Sequence, residues 1–322
     1  MTLLTNDINE IGHNNTLIKN YGIFDGAMLE CIYNFYQHRA SGINLQHIRA
    51  QELLDDIAEN ILSIDSFDYG YGLAGIGFGI EWLTQNGYIN CNTDEVLVDV
   101  DDEIYKSVVY ARGTDHSLLT GTTGKAYYFY KRLIATNPDV NRYKQICLIE
   151  CLVLLSDEIT DYLIDPENGL CTARALEDIS DQNILNMCQI FILFEKLLKR
   201  RINTEAVKSG ICGILAFIEK YCFKTTDVVL PFNSLPIAYS YAILAELFND
   251  PVWSEKSIVL YQQLPKLNLL NETDDVYLFM HTRLSSIFEK KQSDTKNSIV
   301  MDGLASLLGF RDNHLADLML LK

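Results

Sequence analysis

Apolar residues recur along this chain at the three- and four-residue spacing of helices almost throughout, and alternating β-branched runs are scarce. The most strand-like stretch, Glu95 to Asp102, follows Asn92-Thr93-Asp94, a cap-like start, and therefore reads as a helix. Sorted by polarity, the segments alternate. Strongly apolar ones led by glycine or other small residues begin near Gly22, Gly72, Gly121, Asn183, Phe232, Phe279 and Asp302. Between them lie charge-bearing amphipathic ones, Gln46 to Ile64, Asp94 to Tyr110, Asn141 to Tyr162, Asn203 to Tyr221 and Trp253 to Leu264. A helix apolar nearly all round belongs inside and one with a charged face outside. The pattern predicts an all-α protein, an α/α toroid of about seven parallel inner helices ringed by about five outer ones. The inner N-termini would share one mouth, where helix dipoles and free N–H groups converge on a ligand.

A small-residue phrase marks those inner starts at a period of about 50 residues. Its copies are Gly72-Leu73-Ala74-Gly75-Ile76-Gly77, Gly121-Thr122-Thr123-Gly124 and a worn Asp302-Gly303-Leu304-Ala305. Glycine costs helix stability relative to alanine, so its recurrence at one place implies a backbone that approaches a neighbour or a ligand closely.

Composition narrows the function classes. A formal charge of −17 opposes a phosphate backbone, and the densest basic cluster, Lys199-Arg200-Arg201, reads as the last turn of a helix, so nucleic acid is not expected as a partner. No apolar run reaches the ~20 residues of a membrane span, and Met1 to Thr16 lacks the features of a signal peptide. A cytoplasmic protein is expected, of one domain over 1–322, with 1–16 extended or disordered. The 8 scattered cysteines read as reduced core thiols. Cys147 and Cys151, four apart, read as buried core beside Ile146, Leu148, Ile149, Leu152 and Leu154. The acidic run Asp99-Asp101-Asp102-Glu103 reads as a solvated face.

Four phrases resemble the lanthionine synthetase C-like family, in the form found in Bacteroidetes: Asn20 to Gly26, Tyr71 to Gly87 with its Asn92-Thr93-Asp94-Glu95 sequel, Leu118 to Gly124, and Met301 to Leu308. The likeness fades after about residue 170, so 170–322 reads as divergent and shortened, with one outer helix missing between His281 and the last helix. The resemblance implies a zinc enzyme that adds a peptide cysteine to a dehydrated serine or threonine. The zinc would be held by two cysteines and a histidine, which make the incoming thiol a thiolate.

The aligned residues depart from that set. Pro231 and Met280 stand where the cysteine ligands would be, leaving His281 as the one surviving ligand type, so no zinc or other cofactor is expected. The acid/base histidine is replaced by Leu185 or, in a second alignment, by Ser209. Pocket-mouth residues on this alignment are Gly72, Gly121, Asn186, Phe232, His281 and Asp302, with Asp115 and His116 as weak catalytic candidates and Tyr127, Tyr128 and Tyr130 as a possible groove lining.

The reading is a peptide-binding or scaffold protein of a lanthipeptide-type modification system that has lost cyclase activity, with a precursor peptide and a dehydratase as partners. Two alternatives stay open. One is an active cyclase with rearranged ligands, His281 recruiting Cys188 or Cys212. The other is an unrelated toroid hydrolase using a carboxylate pair drawn from Asp25, Asp115 and Asp302.

Overall fold

The computed structural model of the chain describes residues 20–24, 26–138, 141–172, 180–222, 240–242, 245 and 251–263. Every regular element among them is helical: α1 (Ala27–Ser41), α2 (Asn44–Asn60), α3 (Leu73–Gln85), α4 (Thr93–Val96), α5 (Val98–Val109), α6 (Thr122–Ile134), α7 (Arg142–Ile164), α8 (Asp181–Lys199), α9 (Thr204–Cys222) and α10 (Pro251–Gln263). Helices α1, α3, α6 and α8 pack on one another in that order. A second series covers them: α2 lies on α1, α5 on α3, α7 on α6 and α9 on α8, while α5, α7 and α9 also contact in sequence. This is the two-layered alternation that the polarity pattern predicts.

Helix α3 shows why the inner layer is glycine-rich. Leu73 through Leu83 are all buried, so two neighbours must fit against one helix. A Cβ on Gly77 would strike the ring of Tyr128 on α6, and one on Gly79 would strike Met28 on α1. The glycines thus admit bulky side chains from either side, which accounts for their recurrence through a neighbour rather than a ligand.

The Glu95–Asp102 stretch is helical, as the cap predicts. The Asn92 side chain accepts from the Asp94 amide (3.2 Å), and the chain runs through α4, breaks at Leu97 and resumes as α5. The acidic run is not wholly a solvated face, however. Asp101 is 8% exposed and takes part in a buried ion cluster that joins both layers. Arg132 of α6, itself 3% exposed, donates Nε and Nη2 to the two oxygens of Asp101 (3.0 and 2.9 Å), Nη2 to Asp94 (3.1 Å), and Nη1 to Glu81 of α3 and to Thr93 Oγ1 (3.0 Å). Lys144 of α7 bridges Asp94 (3.0 Å) and Asp101 (2.7 Å), and the Tyr128 hydroxyl donates to Asp101. Burial pushes the Asp101 carboxyl up, but the hydrogen bonds and charges of Arg132 and Lys144 outweigh it and hold the group below its ordinary value. Charge-run reasoning missed this because one of the four acidic residues points inward.

Helix α7 is amphipathic as expected, with Leu148, Cys151 and Leu152 in the core and Gln145, Glu150 and Asp157 exposed. Cys147 is only half-buried, however, and Ile146, Ile149 and Leu154 are 62%, 40% and 40% exposed, so these apolar residues lie on the outward face rather than in the core. Of the cysteines, Cys31, Cys151 and Cys188 are core thiols, whereas Cys212 is exposed. The basic cluster ends α8 as expected: Lys199 pairs with Glu195, and Arg201 turns the chain with a left-handed φ of 59°. Among the described residues no helix is long and apolar enough to cross a membrane.

Candidate functional site

The first three inner helices begin in loops of one design. Gly26, Gly72 and Gly121 precede α1, α3 and α6 with φ of −133°, −117° and −113°, ordinary extended backbone. Glycine is required there by space. A Cβ would collide with the carbonyl oxygens of Gly22 and Asn20, of Ser66, and of Asp115 respectively. The first helical amides of α1, α3 and α6 donate to Asn20 O (2.9 Å), Ser66 O (2.9 Å) and Asp115 O (3.0 Å). The first amide of each of these helices is thus taken by its own loop rather than left for a ligand.

Side chains repeat the design. The amides of Gly22, Asp68 and Ser117 each receive support from the residue two before, Asn20 Oδ1 (2.9 Å), Ser66 Oγ (3.3 Å) and Asp115 Oδ1 (2.8 Å). The second and third loops carry the same Ser/Asp pair in opposite order. Ser66 donates to Asp68 in one, and Ser117 donates to Asp115 (3.1 Å) in the other. The amide of Tyr71 is then held by Asp68 (2.6 Å), and that of Thr120 by Ser117 (3.3 Å).

Adjacent loops are joined by backbone. Phe24 N–H donates to Gly70 O (2.8 Å), and Gly70 N–H donates to Leu119 O (2.6 Å). Gly75 and Gly124 make this approach possible. A Cβ on Gly75 would overlap the Tyr69 carbonyl and crowd Ile23 of the preceding loop, and one on Gly124 would overlap the Leu118 carbonyl and Tyr69. In α1, whose loop is the first of the described series, the equivalent position is Leu29.

Asp115 is thus committed to its turn. Burial raises its carboxyl, but hydrogen bonds from Thr120 and Ser117 prevail and leave it below its ordinary value. His116 bonds Thr122 Oγ1 through Nδ1 (2.9 Å), stacks on Tyr162 of α7 (4.3 Å) and lies 3.9 Å from Glu158 Oε1. Burial pushes the His116 imidazole down, the Glu158 carboxyl up, although it accepts from Gly113 N–H (3.0 Å), and the Lys125 amine down. Three groups near the mouth are all biased toward their neutral forms, a combination that clusters at functional sites. Sequence reasoning found His116 but missed Lys125, which directly follows the Gly121–Gly124 phrase, and Glu158, which lies mid-helix in α7 with no motif around it. An aromatic pair sits on the joined loops: Phe24 and Tyr71 meet edge to face at 5.8 Å and remain 48% and 43% exposed.

The structure places Gly72 and Gly121 at the helix starts and Asn186 in the second turn of α8, buried, because that helix begins earlier, at Asp181, with Ser180 as a side-chain cap. Phe232, His281 and Asp302 lie outside the described residues, as do Pro231, Met280 and the Asp25 alternative. Leu185 and Ser209 occur within α8 and α9. Tyr127 donates to Gln189 O (3.0 Å) and Tyr128 to Asp101, so both are buried packing residues; Tyr130 is half-buried. No group of three or more histidine, cysteine, aspartate or glutamate side chains suited to a metal converges among the described residues.

No model of a known protein family matches the chain, and no curated protein matches it in sequence. A solved structure does. Nisin cyclase superposes over 100% of this chain and 98% of its own, with a TM-score of 0.60 and 10% sequence identity. The chain has the α/α toroid fold of nisin cyclase.

Proposed function

We propose that this protein is a lanthionine synthetase C-like member of a lanthipeptide-type peptide-modification system, related to the Bacteroidetes form, that binds a precursor peptide at the ring mouth without zinc cyclase chemistry. The observation that carries the reading is the exposed Phe24–Tyr71 pair on the backbone-joined loops. Half-exposed aromatic rings beside polar groups are what a peptide-binding surface offers: apolar area at low entropic cost, with donors and acceptors at its edge. Asp68, which holds the Tyr71 amide, is such a polar group, and Lys125 lies within reach of its charge.

The chemistry of the aligned donors supports the loss of zinc. Proline has no metal-binding atom, a thioether is a poor replacement for a thiolate, and a single imidazole does not make a three-ligand site. Pro231, Met280 and His281 do not fit the ion, and no catalytic step is derived through it. A cyclase with rearranged ligands needs His281 and a cysteine within about 2.0–2.3 Å of a common point. The hydrolase reading loses support at Asp115, whose oxygens are engaged by Ser117 and Thr120.

The partners in this reading are a Ser/Thr/Cys-rich precursor and the dehydratase that acts on it, in the cytoplasm. Co-purification of the protein with such a precursor tests the reading directly. Retention that weakens in F24A and Y71A is expected; no retention at any salt concentration would overturn it.

A further inference from the structure

In the outer layer, α7 and its neighbour α9 present different faces to solvent. The exposed positions of α9 include Glu205, Lys208, Ser209, Cys212 and Lys220, as an outer helix requires. On α7, Tyr143, Ile146 and Ile149 are 76%, 62% and 40% exposed, Leu154 is 40% exposed, and Val153 is half-buried. Spaced mostly three and four apart, these side chains form one stripe from Tyr143 to Leu154, about 16 Å along the helix axis. Single exposed apolar residues are ordinary, but a contiguous run of them marks an interaction surface. Helix α5 widens it. The Tyr105 hydroxyl donates to Glu150 (3.3 Å) and the Gly113 amide to Glu158 (3.0 Å), so Val109 and Tyr110, 38% and 82% exposed, fall level with Leu154.

The border of the stripe is acidic. Glu150 and Asp157 are exposed within it, and α5 lays exposed Asp99 and Asp102 and half-buried Glu103 along its edge. Of the neighbouring cations, Lys106 is paired with Glu103 (2.6 Å) and Lys144 is turned inward to Asp94 and Asp101, which leaves Arg142 at the N-terminal end and Arg112 beyond α5. From this combination of apolar stripe and acidic border we propose that α7 docks a basic amphipathic helix of a partner protein. Its apolar residues would pack on Ile146 and Ile149, and its lysines or arginines would meet Glu150 and Asp102. Charge selects this occupant. A second copy would set acid against acid in a chain whose formal charge is −17, and an anionic lipid surface would be repelled in the same way. The surface belongs to the outer layer rather than to the mouth, so it does not depend on the peptide-binding reading.

The probe is a synthetic helical peptide of about 14 residues, about four turns, with leucine on one face and lysine on the other. It is titrated into the full-length protein by calorimetry at about 0.15 M salt, where long-range attraction is screened. The basic helix binds, whereas a scrambled peptide of the same composition and one with glutamate in place of lysine bind at least about tenfold more weakly. I146N/I149N lowers the affinity about tenfold or more, the scale of truncated anchors at an interface. D102N/E150Q lowers it too and flattens its dependence on salt. The substituted positions are exposed, and a wild-type-like circular dichroism spectrum and melt confirm that both variants fold. Absence of binding, equal binding of the scrambled peptide, or an affinity that survives I146N/I149N would overturn the proposal. So would wild-type dimers in sedimentation that I146N/I149N dissociates, since they would assign the face to a second copy.

Discussion

Replacing Arg132 by methionine tests the clamp between the two layers. Methionine preserves most of the side-chain volume, so the loss is electrostatic rather than a cavity. Asp101 and Asp94 keep Lys144 as a cation, and Asp101 keeps the Tyr128 hydroxyl. Glu81 does not fare so well. It is fully buried, and its remaining contact is the Gln85 amide (2.8 Å). Removing one partner of such a pair strands the other charge, at a cost of about 3–5 kcal/mol. Removing both restores neutrality, so E81Q/R132M regains roughly 0.5–3 kcal/mol relative to additive single mutants. Urea unfolding followed by circular dichroism and by the fluorescence of Trp82, buried and stacked on Tyr88, reads both quantities. An R132M midpoint equal to wild type, or a double mutant no better than additivity, refutes the reasoning.

Other outcomes follow from the loops. G124A, whose Cβ meets backbone of Leu118, destabilises by about 1–3 kcal/mol, more than G42A, where φ is 71° but no atom lies within 4 Å; thermal melts compare them. The His116 imidazole, depressed by burial from an ordinary 6.5, contributes stability above that pH that is lost as pH falls below it, and H116Q flattens this part of a stability–pH profile. F24A and Y71A each weaken precursor binding by about 1 kcal/mol or more in a titration, as truncated aromatic anchors do.

Much of the fold was legible because an inner helix cannot carry charges all round, and the segments near Gly72, Gly121 and Asn183 do not. The glycine period also pointed to close backbone approach. What the period could not show is the object approached: Gly75 and Gly124 face neighbouring loops, not a ligand. The first repeat was read from Gly22, yet the cap equivalent to Gly72 is Gly26, since the first loop reaches its helix through Asn20 instead of a Ser/Asp pair. The exchanged order of Ser66/Asp68 and Asp115/Ser117 concealed their equivalence from linear comparison and made Asp115 resemble a catalytic acid. Glu81, Asp101 and Arg132 come together from three helices, and no local pattern encodes such a meeting.

The proposal that this toroid binds no zinc is tested most directly by elemental analysis of protein purified without chelators. Zinc far below one equivalent is predicted. One tightly held zinc per chain, released by H281A, would contradict the account.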